Sequence, residues 1–415
     1  MSKYGIGQPV LRFEDPRLLR GQGRYISDVN LHGQAYAIFV RSPHAHANIR
    51  SIDVEEAKKA PGVLAVYTGH DVVADGLGMP KANMPRKRPD GKPMYAPQRP
   101  PLITDRVRYV GDPVAMVIAD TLAEAKDAAE LVNVDYEPLP SVTCTADTVK
   151  PGAPAVWDDC PDNISNFVER GNKAATDEAI KGAAKVIKRR YVITRVHAQY
   201  MEPRGTLGTY DPGEDRMTLY ADVQYPHRVR NMLAESALPY QSPVGPFYDC
   251  GEFEKNLDMA LKLADVAGFA ARKEESKKRG RLRGLGIINA IEQAAGTAQP
   301  EYAEIRFNPG GTAALLMGTK NQGQGHETMF KQILNERLGI DPNDVQYIDG
   351  DTDRVAFGMG TNGSRSTVLG GSALFMAAGK VIEKGKRLAG HMLEAGEQDI
   401  EFADGTFTVA GTDKS

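Results

Sequence analysis

A short polar stretch, NQGQGHET at residues 321–328, has the residue types and spacing of a ligand-binding loop. It lies between an apolar segment typical of a strand and an amphipathic segment typical of a helix. A glycine loop ahead of a helix leaves backbone N–H groups free where the helix dipole is positive, and both features favour an anion such as phosphate. Gln322 and Gln324 add amides that can bind a heterocycle or an oxo group. The alternative is a tight turn that only joins two elements.

A second glycine-rich stretch, GMGTNGSRST at residues 358–367, repeats this arrangement ahead of another predicted helix. Ser364 and Ser366 can cap the helix, and the Arg365 guanidinium can pair a phosphate through two hydrogen bonds. The NQGQGHET stretch matches neither the P-loop nor the dinucleotide-binding glycine pattern. Two such loops close together in the chain favour a large, phosphate-containing cofactor.

Other polar clusters are weaker candidates. The aspartates of DGDTD, residues 349–353, could hold a hard cation, but an acidic turn is the commoner meaning of such a sequence. His44 and His46 are two residues apart and are expected to share one face of a strand. Without a third ligand they make a poor metal site, so we expect a structural role for both.

The bulk composition excludes several classes of protein. A chain of 415 residues predicts two to four domains, and a net charge of −3 gives no reason to expect a nucleic acid or an anionic membrane as partner. The apolar runs are too short to span a bilayer, and the start lacks an apolar signal core. Cytoplasm is therefore the expected location. The odd number of widely spaced cysteines also favours a reducing compartment: Cys144, Cys160 and Cys250.

The elements that must position these loops follow from hydrophobic periodicity. In the N-terminal third we expect an α/β module: strands within 34–42, 107–119 and 133–140, a strand–helix–strand unit over 51–69, and a helix from Asp120 or Thr121 with Glu124 in a capping box. Next come a strand over 183–194, a strand leading into a helix over 215–235 with His227 near the helix start, and one long helix over 256–283 with a basic, solvated end.

The C-terminal region is the most regular. We expect strands over 282–294, 302–308 and 313–320, followed by the NQGQGHET loop and a helix. That helix has one buried face, formed by Met329, Phe330, Ile333, Leu334 and Leu338. A strand before DGDTD and a helix after residues 358–367 complete the pattern.

Several long stretches together resemble a known family. They include RFEDPRLLRGQGRYISDV, FVRSPHAHANIRSIDVEEAKKAPGVLAVYTG, VRYVGDPVAMVIADTLAEAKDAAELVNVDYEPLP, DVQYPHRVR, GTKNQGQGHET and GDTDRVAFGMGTNGSRST. The sequence is similar to the molybdopterin-binding large subunit of the xanthine dehydrogenase family, most closely the aerobic carbon monoxide dehydrogenase large-chain type. The resemblance implies an α+β protein, with an N-terminal α/β-hammerhead domain followed by partial molybdenum-cofactor-binding α/β domains.

The resemblance also implies domain boundaries and site residues. The expected domains are 1–146 (hammerhead), 147–177 (connecting segment), 178–235 (start of the first cofactor-binding domain) and 236–415 (N-terminal part of the second). The implied cofactor is molybdenum–molybdopterin cytosine dinucleotide. Its molybdenum and pterin end is assigned to Gln224, Gln324, Gly325 and His326. Its pyrophosphate–nucleotide end is assigned to Thr361, Asn362, Ser364 and Arg365. No protein side chain is expected to ligate the metal.

The implied function is that of a molybdenum hydroxylase, an oxidoreductase acting on CO, aldehydes or N-heterocycles. It would pass electrons to an iron–sulfur subunit and an FAD subunit, in a dimer of heterotrimers for a complete family member. This sequence departs from the family in lacking a Gly-Gly-Gly-Phe-Gly loop and an arginine-rich loop after residue 235. It also stops before the glutamate that serves as base, so we expect an internally deleted and truncated chain without a catalytic residue. The alternative is an inactive product or a docking module without cofactor.

Overall fold

The computed structural model describes the following residues: 4–77, 86–97, 99–169, 171–193, 202–234, 253–281, 283–285 and 299–415. The chain forms two compact units. Unit 1 comprises Met1–Gly23, Val223–Arg230 and Val244–Ser415. Unit 2 comprises Arg24–Asp222 and Asn231–Pro243.

The α-helices in the described residues are α1 Asp15–Leu19, α2 Glu55–Lys59, α3 Gly69–Ala74, α4 Leu122–Glu130, α5 Lys173–Gly182, α6 Pro226–Ala234, α7 Phe253–Leu263, α8 Phe269–Lys278, α9 His326–Leu338 and α10 Gly371–Met392. The strands are β1 Tyr36–Arg41, β2 Ala47–Asp53, β3 Val63–Thr68, β4 Arg106–Val107, β5 Pro113–Ala119, β6 Asn133–Pro138, β7 Thr206–Asp211, β8 Arg216–Ala221, β9 Ala303–Phe307, β10 Ala313–Met317, β11 Val345–Asp349, β12 Ile400–Ala403 and β13 Thr406–Val409. None of the described helices is long and apolar enough to cross a membrane.

Unit 2 contains two antiparallel three-stranded sheets. One has the order β1–β5–β3 and is covered by α4, and the other has the order β4–β2–β6. Val40 and Ile52 pack against the core clusters of both sheets, so the sheets share one hydrophobic core. The Thr121 hydroxyl accepts a hydrogen bond from the Glu124 N–H at 3.2 Å, which confirms the predicted N-cap of α4.

The prediction that His44 and His46 share a strand face is wrong. The Ser42 hydroxyl hydrogen-bonds the backbone N–H of His44 at 3.0 Å, which ends β1 in a turn, and β2 begins only at Ala47. His46 is buried, with its Nδ1 at 2.9 Å from the carbonyl oxygen of Pro140. The His44 ring lies against the ring of Tyr136. Both histidines therefore have the structural role expected for them.

The strand predicted over 183–194 is absent from the described part of that range, residues 183–193. An isolated extended segment leaves its backbone groups without ladder partners, so alternation of apolar residues alone does not make a strand. Several apolar side chains of this segment are exposed: Val186, Ile187, Tyr191, Val192 and Ile193. The hairpin of β7 and β8 follows, and its antiparallel pairing begins at Thr206 and Ala221.

The long helix predicted over 256–283 is two helices, α7 and α8. Asp265 between them has φ = 46°, a left-handed conformation that ends α7. Its carboxylate then accepts a hydrogen bond from the Gly268 N–H and caps the next short turn, and it also binds the Arg272 guanidinium. A capping aspartate therefore breaks a segment whose helical periodicity is otherwise continuous. The basic end is exposed as expected, and the strand predicted over 282–294 lies mainly outside the described residues.

The C-terminal part of unit 1 is built on the sheet β9–β10–β11. The central strand β10 is buried along its whole length, antiparallel to β9 and parallel to β11. Helix α9 connects the two parallel strands, and its Phe330, Leu334 and Leu338 pack into the same core as Leu315 of β10. Helix α10 covers α9 and β9, and the hairpin of β12 and β13 packs against α10. The predicted buried face of α9 is therefore confirmed for these three side chains.

Candidate cofactor-binding site

The parallel pairing of β10 and β11 brings the two glycine loops to one edge of the sheet. Met317 at the end of β10 is paired with Asp349 at the end of β11. The first loop follows β10 and leads into α9, and the second follows β11 and leads into α10. Because carboxyl ends of parallel strands meet at the same edge, ligand sites tend to form there.

Direct hydrogen bonds fasten the two loops together. The Thr361 hydroxyl accepts from the Lys320 N–H at 3.0 Å, donates to the Lys320 carbonyl oxygen at 2.6 Å and lies 3.1 Å from the Ser366 hydroxyl. The Gly360 N–H donates to the Gly318 carbonyl at 3.2 Å. The Thr361 side chain thus aligns the two loops, and its backbone can contact other groups.

A third segment, at the start of α6 and distant in sequence, contacts the second loop. The Thr361 N–H donates to the Gln224 carbonyl oxygen at 3.1 Å. Gly360 has φ = +67°, and a Cβ there would overlap the Gln224 backbone, so only glycine allows this approach. The buried His227, in the first turn of α6 as predicted, donates from Nε2 to the Val355 carbonyl at 2.7 Å. This bond anchors the Gln224 segment to the loop after β11.

One cavity of about 420 Å³ lies between the three segments. All eight residues predicted for the site line it: Gln224, Gln324, Gly325, His326, Thr361, Asn362, Ser364 and Arg365. It is also lined by residues not predicted for the site: Met329, Gly363, Ser366 and Thr367. Three of the four belong to the glycine stretch 358–367 itself. Met329 is one helical turn after His326, but its apolar spacing had assigned it to the core.

The cavity walls present hydrogen-bond donors. Helix α9 begins at His326, and the first N–H groups of a helix have no partner within it. Gly363 and Ser364 both have left-handed backbones, with φ = 52° and 54°. Among the described residues the N–H groups of Asn362 and Gly363 donate no hydrogen bond. Such turns with free N–H groups, together with a helix N-terminus, bind anions.

The side chains of Gln324 and His326, in the first loop, also have defined orientations. The Gln324 side-chain oxygen accepts from the Gln322 N–H, so its amide nitrogen is the group left for a ligand. The His326 ring is buried and packs edge-on against Phe330. Burial lowers the pKa of His326, against an opposing effect of the Glu14 charge. Its Nδ1 has no hydrogen-bond partner among the described residues. His326 is therefore a buried, neutral imidazole with one nitrogen that no described residue hydrogen-bonds.

The Arg365 guanidinium is not free to pair a phosphate, contrary to the interpretation of the sequence. Its side chain is 3 % exposed and forms an ion pair with the Glu301 carboxylate, which is 1 % exposed. It also donates to the Gly360 carbonyl oxygen at 2.9 Å. Glu301 lies far upstream, so sequence reasoning had no signal for this partner. Arg365 lines the cavity, and its charge holds the loop that carries Asn362 and Ser364 in place.

The DGDTD stretch forms an acidic turn. The Asp351 carboxylate accepts from the N–H groups of Asp353 and Arg354 at 3.0 and 3.2 Å. The Asp349 carboxylate accepts from the Asn321 N–H at 2.5 Å and the Tyr347 hydroxyl at 2.8 Å. The described residues contain no cluster of three or more histidine, cysteine or acidic side chains that could hold a metal ion. The aspartates therefore shape the loops.

Asp349 makes the stability of this region depend on pH. Burial raises the pKa of Asp349 from 3.8 to about 6, against the hydrogen bond from the Asn321 N–H. Because the folded state favours the protonated acid, the stabilisation is present below 3.8 and is lost as pH rises through about 6. We expect the free energy of unfolding, relative to that of Asp349→Asn, to fall across this range. Urea denaturation followed by circular dichroism measures both proteins, and parallel pH profiles would contradict the assignment.

Family models match most of the chain. The "Aldehyde oxidase and xanthine dehydrogenase, a/b hammerhead domain" matches residues 20–140. The "Molybdopterin cofactor-binding domain" matches residues 156–241 and, in a second model, 259–415. The predicted α+β class with an N-terminal hammerhead domain is therefore confirmed. Cys250 and the loop-like residues around it lie outside the described residues.

Curated relatives align along almost the whole chain. The nicotine 6-hydroxylase large subunit of Paenarthrobacter nicotinovorans is 26 % identical and is aligned over 100 % of this chain and 72 % of its own length. The carbon monoxide dehydrogenase large chain of Afipia carboxidovorans is 26 % identical over 98 % of this chain and 74 % of its own length. The first alignment extends over 598 positions, although this chain has 415 residues. That relative therefore contains internal segments without a counterpart here, as the sequence analysis expected.

Solved structures have the same fold. The Cu,Mo-CO dehydrogenase crystal structure superposes with a TM-score of 0.82 at 24 % identity, covering 98 % of this chain and 75 % of that one. Quinoline 2-oxidoreductase from Pseudomonas putida 86 gives a TM-score of 0.81 at 24 % identity, covering 99 % and 75 %. The family models, the relatives and the fold agree. The chain is thus a molybdopterin-binding subunit of the molybdenum hydroxylase family of oxidoreductases, which includes xanthine dehydrogenase and the carbon monoxide dehydrogenase large chain.

Proposed function

We propose that the 420 Å³ cavity holds the molybdenum–molybdopterin cytosine dinucleotide cofactor. The observation that carries the proposal is the convergence of eight residues from three separate segments on this one cavity. The Gln224 segment is far in sequence from the two loops at Gln324 and Ser364. Their assembly depends on hydrogen bonds and on a glycine contact, so the cavity is built by specific interactions.

The residues present fit such a ligand. A dinucleotide pyrophosphate is an anion with many acceptor oxygens, and the turn at Asn362 and Gly363 offers N–H groups that no described residue uses. The N-terminus of α9 adds favourable positive partial charge. The amide nitrogen of Gln324 has no assigned partner among the described residues at the other loop, where the His326 side chain also lines the cavity. These groups suit the pyrophosphate–nucleotide end and the pterin end respectively.

The chain's own residues would bind and orient the cofactor. When bound, the cofactor supplies the oxidation–reduction chemistry. The Gln224 and Gln324 amides would hydrogen-bond its polar edge, and Met329 would cover an apolar part of it. Since burial lowers the pKa of His326, the imidazole is neutral at physiological pH and would donate or accept one hydrogen bond without placing a positive charge there.

The proposed substrate class and partner subunits are inferred from the relatives. We propose a substrate among CO, aldehydes and N-heterocycles, with electrons passing to an iron–sulfur subunit and an FAD subunit. The names of the relatives point to multi-subunit complexes, since they are a "large subunit" and a "large chain". A dimer of heterotrimers and a cytoplasmic location belong to the same proposal.

The first test is the molybdenum and cytidine monophosphate content per chain. The protein is purified from a host that makes the cofactor, and elemental mass spectrometry and acid release of the nucleotide measure the two components. We expect near-stoichiometric amounts of both. Gln324→Leu removes an amide from the cavity and is expected to lower both severalfold. Gln346→Leu replaces an exposed glutamine of β11 outside the cavity and should leave both unchanged.

A folded, metal-free native chain would contradict the proposal that this chain alone holds the cofactor. It would favour the second candidate, a non-catalytic product or a docking module. That candidate has support in the internal segments of the relatives that lack a counterpart here. Metal-loaded protein that fails to reduce an electron-accepting dye with CO, aldehyde and N-heterocycle substrates would separate cofactor binding from catalysis.

A further inference from the structure

The N-terminal segment, residues 4–19, packs against the loop and helix that carry Gln324 and His326. The Arg12 Nη2 donates to the Gly323 carbonyl oxygen at 2.9 Å. The same guanidinium lies over the next glycine, where a Cβ on Gly325 would be 3.3 Å from the Arg12 Nε. Arg12 therefore contacts the tip of the loop on both sides of Gln324.

Glu14 binds the two ends of the same loop. Its carboxylate is only 2 % exposed and accepts from the Thr328 hydroxyl at 2.7 Å, in the first turn of α9. It also accepts from the Asn321 side-chain amide at 3.4 Å, at the loop's start. Burial by itself would raise the pKa of Glu14, but the hydrogen bonds from Thr328, a backbone hydrogen bond within Glu14 and the Arg12 charge together lower the pKa below the ordinary value. Glu14 is therefore a carboxylate at neutral pH.

The segment itself is anchored on α9, so Arg12 and Glu14 are fixed in position. The Phe13 N–H donates to the Thr328 hydroxyl at 2.8 Å, and the Lys331 ammonium lies 3.9 Å from the centre of the Phe13 ring. The Gln332 side-chain amide donates to the carbonyls of Gly5 and Gln8 at 3.1 and 3.3 Å. Arg12 and Glu14 together form a charged clamp, and the N-terminal segment that carries them is a rigid support rather than a loose terminal arm.

We propose that Arg12 and Glu14 are positioning residues that hold residues 321–326 in the ligand-binding conformation. Ordering a loop costs conformational entropy, and a preorganised loop avoids that cost on binding. The loop's internal bonds, from the N–H groups of Gln322 and Gly323 to side chains within the loop, are short-range and weak by themselves. Arg12 and Glu14 add contacts from the distant N-terminal segment to the bond between the Asn321 N–H and the Asp349 carboxylate. The clamp's role towards the cofactor rests on the proposed function, whereas its effect on the loop does not.

The test uses the full chain in its metal-free and metal-loaded forms. Hydrogen exchange measured by mass spectrometry on the metal-free form follows the amides of residues 321–326. Loss of a hydrogen bond from a charged group is expected to make them exchange roughly tenfold faster in Arg12→Met. Arg12→Lys keeps the charge and a donor, so it should restore most of the protection. Arg17→Met, an exposed change on the same segment, should have no effect.

Molybdenum content gives the second readout. We expect severalfold less molybdenum in Arg12→Met and in Glu14→Gln, and native content in Arg17→Met. Unchanged exchange of residues 321–326 in Arg12→Met would overturn the proposal. Equally faster exchange across β9, β10 and α10 would also overturn it, because Arg12 would then be only a general stabiliser. Faster loop exchange beside a metal-free native chain would support the clamp and contradict the cofactor proposal.

Discussion

Replacing Glu301 with glutamine is expected to lower the free energy of unfolding by about 3–5 kcal/mol, the usual effect of leaving one partner of a buried ion pair alone. Glu301 and Arg365 are 1 % and 3 % exposed, so water cannot solvate the guanidinium after the change. The Arg365 side chain also bonds the Gly360 carbonyl oxygen, so its displacement would disturb the loop that lines the cavity. Urea denaturation followed by circular dichroism measures the loss.

Glu304 provides a matched control three residues away. Its ion pair with Arg306 is on the surface, with side chains 32 % and 53 % exposed. Exposed pairs contribute at most about 1 kcal/mol, so Glu304→Gln should change stability little. Equal losses in the two variants would show that burial does not strengthen the pair at Arg365. We also expect Glu301→Gln, but not Glu304→Gln, to lose molybdenum.

Gly360→Ala is expected to destabilise the protein by about 2–5 kcal/mol. A left-handed backbone costs a residue with a Cβ about 1–2 kcal/mol. The new Cβ would also overlap the carbonyl of Gln224, and a backbone shift to relieve such overlap costs a further 1–3 kcal/mol, roughly. The shift would separate the Gln224 segment from Thr361, whose N–H bonds it, and so would open one wall of the cavity.

A substitution at Gly311 separates the cost of the left-handed backbone from the cost of the overlap with Gln224. Gly311 has φ = +85°, and nothing lies within 4 Å of a Cβ placed there. Gly311→Ala therefore carries only the backbone strain, about 1–2 kcal/mol. The difference between the variants, measured by urea denaturation, isolates the contact with Gln224. A Gly360→Ala protein as stable as Gly311→Ala, with native molybdenum content, would contradict the close approach.

Local patterns predicted the regular elements wherever one stretch of chain carries its own periodicity and caps. Thr121, one of the two residues that the capping pattern indicated, is the N-cap of α4, and the apolar spacing of α9 identified Phe330 and Leu334 as core residues. The glycine loops were recognisable because glycine beside polar residues ahead of a helix leaves backbone N–H groups where the helix dipole favours an anion. These features depend on neighbours within a few residues, so a sequence displays them directly.

The errors concern interactions that periodicity does not represent: a missing or distant partner, or a side chain that caps the backbone. The apolar run at 183–193 has the composition of a strand but no paired strand in the described structure. The helix break at Asp265 depends on a side chain that competes for backbone N–H groups. Arg365 has the position of a phosphate ligand, but its charge is neutralised by Glu301. Periodicity cannot detect any of these.

The sequence by itself determined the family, the α+β class and eight of the residues around the cavity, because those depend on long motifs and local chemistry. Only the tertiary structure decided how the residues work together. The parallel register of β10 and β11 places both loops at one edge, and hydrogen bonds from Thr361 join them to each other and to Gln224. The clamp of Arg12 and Glu14 joins residues more than 300 positions apart. Contacts of that range arise from packing of the whole unit, which no local pattern encodes.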